Sequence, residues 1–227
     1  MKHTSQQFED DLTRLKDTLL LMGGMIESML QETNQALLDN DSAAAFKIIE
    51  RDKQLDQMEK KVDELAIQIL ALRQPTAIDL RFVTASMKIC TDLERMGDSL
   101  VNICERITEL AKFPPLKPYK DLPKMVKLTS VMITKALDAF VNQSLDLASD
   151  VLKSDDEIDE LTSLIHRELI EMMKNDSNAV ERAIKLMSIS KYLERMADHA
   201  TNISEQVIFM VKGLDIRHSG PPKSIPD

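Results

Sequence analysis

Glu94, Asp98, Asn102 and Glu105 stand at i, i+4, i+8 and i+11, and Glu194, Asp198, Asn202 and Glu205 repeat the pattern 100 residues later. On an α-helix each set falls within roughly 80° of arc. An ordinary wet helix face alternates charge signs at i and i+4. Stacking like charges there costs a few tenths of a kcal/mol per pair. A plain solvated stripe is the alternative reading, but the same unfavourable choice made twice calls for a counter-charge. Asp52 with Asp56, and Asp155 with Asp159, form further i, i+4 carboxylate pairs. If the helices bearing them are neighbours, Asp52, Asp56, Glu94 and Asp98 converge, and so do Asp155, Asp159, Glu194 and Asp198. Four close carboxylates repel unless a cation sits among them. Hard oxygen donors suit Mg²⁺, Mn²⁺, Ca²⁺ or iron. The expected cofactor is therefore a divalent or transition metal ion, with Mg, Mn, Fe and Zn as the candidates. Asn102, Asn202, Glu59 and His166 are further candidate ligands. The two sets differ, because Glu59 and Asp63 have Thr162 and His166 as their counterparts. His166 could add a nitrogen ligand, although a histidine there, like His199 beside Asp198, is more simply an ordinary surface residue.

The elements that position these residues are helices. Leu, Met, Ala, Glu, Lys and Gln dominate, aromatics are 4% of the chain and Gly occurs five times, which favours helix over strand. Breaks fall at Asp39–Ser42, Arg73–Thr76, Phe113–Pro118, Lys153–Asp155 and Asn175–Ser177, with Gly213 closing the last helix. They predict helices over 4–38, 42–72, 76–112, 119–152, 155–174 and 178–212. Ile89, Leu93, Met96, Leu100, Ile103, Ile107 and Leu110 alternate spacings of four and three, a coiled-coil-like core stripe. Leu55, Met58, Val62, Leu65, Ile69 and Leu72 do the same. The polar ladder lies on the side away from this seam. Residues 92–106 match 192–206 at eight of fifteen positions, and the core stripe recurs as Ile189, Leu193, Met196, Ala200, Ile203, Val207 and Met210. The chain therefore reads as all-α, a duplicated three-helix unit: 1–113, a Pro-rich linker 114–118, 119–218, and a disordered tail 219–227. Short connections make the six long helices antiparallel neighbours.

Several function classes drop out. A net charge of −9 with no Lys/Arg run gives no footing for nucleic acid. Met1–Glu9 is polar and does not read as a signal peptide. No apolar run approaches the roughly 20 residues of a membrane span. Cys90 and Cys104 lie about 21 Å apart along one helix and cannot pair, which fits reduced thiols in the cytoplasm. P-loop, GxSxG, HExxH and paired CxxC motifs are absent, and nothing argues for an enzyme. The Gly23-Gly24 pair inside the first helix reads as a bend or a close helix contact. Arg95 and Arg195 are expected to pair with neighbouring carboxylates.

Met22-Gly-Gly-Met25, Glu50-Arg-Asp-Lys53 with Asp56, Arg73-Gln-Pro-Thr76 with Asp79-Leu-Arg81, Leu93-Glu-Arg-Met-Gly-Asp98, Leu193-Glu-Arg-Met-Ala-Asp198 and Val211–His218 together resemble the PhoU family over roughly residues 5–218. The resemblance implies two pseudo-symmetric three-helix bundles carrying paired acidic ExxxD or DxxxD motifs that hold metal. By position these motifs fall on Asp52/Asp56 with Glu94/Asp98 and on Asp155/Asp159 with Glu194/Asp198. It further implies a cytoplasmic negative regulator of phosphate uptake and of the phosphate-starvation response. Such a protein links the ATPase subunit of a phosphate ABC transporter to a sensor histidine kinase, peripheral to the inner membrane through its partners, in some members as a homodimer. The competing reading is a ferritin-like oxidase or store, whose Glu-x-x-His ligands would project inward.

Overall fold

The computed structural model describes residues 2–116 and 120–216, with side chains from Gln6 onward. Among them run α1 (Lys2–Asp39), α2 (Ser42–Arg73), α3 (Ala77–Leu110), α4 (Asp121–Asn142), α5 (Leu145–Asn175), a 3₁₀ turn (Ser177–Ala179) and α6 (Val180–Lys212). The expected tail, 219–227, lies outside the described residues, as do 117–119 of the linker and of the second repeat's start.

Most predicted caps form. The Asp41 carboxylate accepts from the amides of Ala43 and Ala44 at 2.9 and 3.0 Å, and Asp176 accepts from Asn178 at 2.9 Å. Gly213 takes φ 71° and its amide donates to the Phe209 carbonyl at 2.8 Å, a left-handed C-terminal closure that glycine adopts without steric cost. One boundary is corrected. No break occurs at Lys153–Asp155, which lies inside α5. There Ser154 Oγ donates back to the Asp150 carbonyl at 2.9 Å, and buried Val151 and Ile158 carry the apolar stripe straight through. The break falls instead at Gln143, at φ 51°, followed by Ser144, whose Oγ accepts from the Leu147 amide at 3.3 Å.

α1, α2 and α3 pack on one another, and so do α4, α5 and α6. α3 lies along α6 and α1 along α4, while α2 and α5 occupy the flanks. The result is two three-helix bundles side by side, with α2, α3, α6 and α5 forming one broad face and α1 and α4 the back. α3 and α6 run antiparallel. Asp92 meets His199, Glu109 meets Lys185, and Arg81 Nε donates to the Met210 carbonyl at 3.1 Å. The duplicated Leu-Glu-Arg-Met segments therefore cross at the centre of this face. The predicted stripes of α3 and α6 are buried throughout, and one apolar core spans both bundles. Each fully buried Leu, Ile or Met in it contributes about 1.5–3 kcal/mol of transfer free energy. The α2 stripe ends earlier than its period suggested, since Leu72 is 66% exposed. It sits on the helix's last turn, where the adjacent Arg73 is the residue that meets α1.

Gly23 proves to be the close-contact alternative. A Cβ there would lie 2.2 Å from Leu137 Cδ1 of α4, so a bare backbone lets the two bundles close. Gly23→Val is expected to lower stability by about 1–3 kcal/mol through overpacking, read as a reduced urea midpoint at unchanged slope. An unchanged midpoint would show that Leu137 yields freely.

Candidate metal centre

On the broad face the sequence-expected carboxylates meet in the two grooves between α2 and α3 and between α5 and α6. Asp52 has its carboxyl pushed up to about 6, first by burial and then by Asp56 and Asp98. Glu94 is raised by burial and by Asp98, with Arg95 opposing and Glu59 and Asp52 adding to the repulsion. Asp52 reaches this position because Gly97 leaves room. A Cβ on Gly97 would fall 2.8 Å from Asp52 Oδ1 and 2.7 Å from Leu55 Cδ1. In the second groove Asp155 is pushed up to about 6 by burial, then by Asp198, Asp159, Asp156 and Glu194. Asp198 is raised by burial and Glu194, against the pull of Lys191. Both expected quartets thus come within electrostatic range and repel, with Asp52, Glu94, Asp98, Asp155 and Glu194 partly withdrawn from water and Asp56, Asp159 and Asp198 exposed. As placed, no three His, Cys, Asp or Glu side chains among the described residues gather closely enough to enclose an ion.

The outlying candidates divide. Glu59 joins the first cluster through Glu94. Asn102 stays beside it, its Nδ2 donating to the Asp98 carbonyl at 2.7 Å. Asn202 turns away, since its Nδ2 donates to Asp92 Oδ1 on the opposite bundle at 3.2 Å. His199 shares that partner, with Nδ1 at 2.9 Å from Asp92 Oδ1. It is a latch across the seam, where the sequence suggested a plain surface residue. His166 Nε2 lies 3.0 Å from Ser190 Oγ and 3.4 Å from the Met187 carbonyl. Arg95 pairs as expected, with Asp98 at 3.3 Å and Glu94 at 3.6 Å. Arg195 instead stacks over the Tyr192 ring, 5.5 Å from its centroid.

Sequence reading missed two neighbours. Asp156 adds charge to the second cluster, and only its adjacency to Asp155 hinted at it. Lys191 pairs with Glu194. Its i, i+3 spacing was a readable signal, and the counterpart in the first repeat is Thr91. The second cluster therefore carries a side-chain cation that the first does not have at that position.

The donor chemistry fits a hard cation. All eight core donors are carboxylates, and a bound ion would remove the repulsion that raises Asp52, Glu94, Asp155 and Asp198. The interior suits a di-iron centre poorly. Among the described residues the one buried carboxylate is Asp11, held by Arg73 at 3.0 Å, so the inward ligands of a ferritin-like bundle are missing.

The PhoU domain model matches the chain twice, over residues 19–107 and 122–207. A phosphate-specific transport system accessory protein PhoU homolog of Pseudomonas aeruginosa is 37% identical over 219 residues, covering 96% of this chain and 90% of that protein. The accessory protein PhoU of Escherichia coli K12 is 35% identical over 225 residues, at 96% and 91% coverage. A crystal structure of PhoU from Pseudomonas aeruginosa superposes with a TM-score of 0.88 at 36% identity, covering 91% of this chain and all of that one. The phosphate transport system regulatory protein PhoU from Streptococcus pneumoniae gives 0.85 at 28% identity, with coverage of 92% and 98%. With the domain matched in both repeats and relatives aligned along nearly its whole length, the chain belongs to the PhoU family.

Proposed function

We propose that this protein is a negative regulator of phosphate uptake and of the phosphate-starvation response. In this reading it acts as an adaptor between the ATPase subunit of a phosphate transporter and a sensor histidine kinase, with metal ions loaded on its broad face. The observation that carries the reading is the pair of mutually repelling carboxylate clusters on that one face. Eight acids held in two repelling groups call for a counter-charge. The names of the relatives, accessory and regulatory proteins of phosphate transport systems, supply the process. Among the described residues no helix is long and apolar enough to cross a membrane, so contact with membrane components runs through docking.

Asp52, Asp56, Glu94 and Asp98 would hold one ion or ion group, with Glu59 in reach, and Asp155, Asp159, Glu194 and Asp198 the other. When bound, metal supplies positive charge that fixes the grooves and gives a partner's acidic or carbonyl groups a counterpart. Lys191 competes for Glu194 in the second site as Arg95 competes for Glu94 and Asp98 in the first. Equilibrium dialysis against Mn²⁺ is expected to resolve two sites. Glu94→Gln with Asp98→Asn removes the first without changing the helical circular dichroism, and Lys191→Gln tightens the second. Unchanged stoichiometry in the Glu94/Asp98 variant would reject the first site. Capture of the transporter ATPase and the kinase by the wild type, lost on charge reversal at Glu94 and Asp98, tests the adaptor role. Capture that survives reversal removes this face from partner binding. Light scattering decides whether the protein works as a homodimer.

A further inference from the structure

One segment at the start of α4 reverses the sign that prevails along the rest of the chain. Residues 112–127 hold five lysines and a single acid, Asp121, in a chain of net charge −9. Lys120, Lys124 and Lys127 recur at spacings of four and three, all exposed, with Val131 (42% exposed) completing the stripe. They span about 10 Å of helix axis. The choice is locally unfavourable in two ways. Lysines at i, i+4 repel, and cations at a helix N-terminus oppose its dipole. Lys120 itself occupies the N-cap position and provides no side-chain cap. Asp121 offsets only part of this, pairing with Lys124 at 2.8 Å. Of the acids of α1, Glu27 accepts from Thr134 beyond the far end of the lysine stripe, while Glu32 is paired with Arg51 and Asp39 accepts from Gln35 Nε2 at 2.6 Å.

We propose that the Lys120–Lys124–Lys127 stripe of α4 is a docking surface for an anionic lipid bilayer. The three lysines are exposed, and such an open stripe suits a flat polyanion better than a peptide needing an anchoring groove. The pockets along α5, around Phe113–Leu116 and between α1 and α2 are not lined by these three lysines. The acidic clusters open on the opposite face, about 20 Å or two helix diameters away. That exceeds the roughly 8 Å Debye length at physiological salt, so the net negative charge does not cancel the local attraction.

The test is flotation of the full chain with vesicles of phosphatidylcholine, with and without phosphatidylglycerol, at low and near-physiological salt. Binding is expected only to the phosphatidylglycerol vesicles, and to weaken as salt rises. Each lysine near such a surface contributes roughly fivefold in partitioning, so Lys120→Glu, Lys124→Glu and Lys127→Glu together should lose on the order of 100-fold. Lys153→Glu with Lys174→Glu, exposed on α5, changes charge elsewhere and should leave binding in place. Circular dichroism confirms that each variant is folded. Absence of vesicle binding, equal binding to neutral vesicles, or a triple variant that still floats would overturn the proposal. Competition by soluble polyglutamate at matched charge, with preference over vesicles, would also overturn it and assign the stripe to an acidic protein surface.

Discussion

Arg73→Leu is expected to destabilise the protein by about 2–4 kcal/mol, a little below the roughly 3–5 kcal/mol of stranding one member of a fully buried ion pair. Arg73 ends α2, and its Nε and Nη2 both donate to Asp11 Oδ2 of α1, at 3.1 and 3.0 Å. The side chains are only 18% and 12% exposed, so neither charge has much water to fall back on. Removing the guanidinium leaves Asp11 buried and uncompensated. Removing both charges, as Asp11→Asn with Arg73→Leu, should recover most of the loss, because the penalty lies in the stranded charge rather than in the pair. A chemical-denaturation cycle measures this coupling directly. If the single and double variants are equally unstable, Arg73 acts through packing of its stem. Mn²⁺ binding by Arg73→Leu should be unchanged while it remains folded. That separates it from Glu94 and Asp98, although all three belong to the segments that made the family legible.

What the sequence disclosed follows what local periodicity can report. The core stripes of α3 and α6 repeat every three and four residues, and burial needs nothing else to select them. The Asp41 cap and the Gly213 closure are one-turn events, written in one turn of sequence. The two carboxylate quartets were readable because duplication printed the same ladder twice. Serine boundaries were less legible. Ser144 caps a helix and Ser154 bonds back into one, and the difference lies in which buried residues continue the stripe. Contacts across the bundle seam were not legible at all. His199 and Asn202 both bond Asp92, 107 and 110 residues away, and nothing in either local pattern names that partner. Leu72 failed for a related reason. Its spacing is right, but at that turn Arg73 is the residue that meets α1, and Leu72 stays exposed.

Acidification from neutrality to about pH 5, without divalent cations, is expected to stabilise this protein, the reverse of the usual behaviour of carboxylate-rich folds. Asp52 and Asp155 move from an ordinary 3.8 to about 6 on folding, and Glu94 and Asp198 move the same way. Through that window the folded state therefore binds more protons than the unfolded chain, so stability falls as pH rises from about 4 to 6 and is lowest above it. These groups are only half withdrawn from water, and screening reduces each full shift to about 1 kcal/mol. Glu32 and Glu109, lowered by Arg51 and Lys185 respectively, act oppositely. Their pairing is lost only as pH falls below the ordinary glutamate range, so the optimum should sit near pH 5. A cation in the grooves substitutes for the protons. At neutral pH, Mn²⁺ at a hundred times its dissociation constant should add about 2.7 kcal/mol, and the gain should shrink toward pH 5 as protons occupy the same oxygens. Asp52→Asn with Asp155→Asn should flatten both profiles together. If thermal melts show the pH response abolished and the Mn²⁺ response intact, the repelling carboxylates and the metal ligands are different groups. A joint loss identifies one set of oxygens that is destabilising when bare and stabilising when loaded, and in such a protein folding stability itself reports metal status.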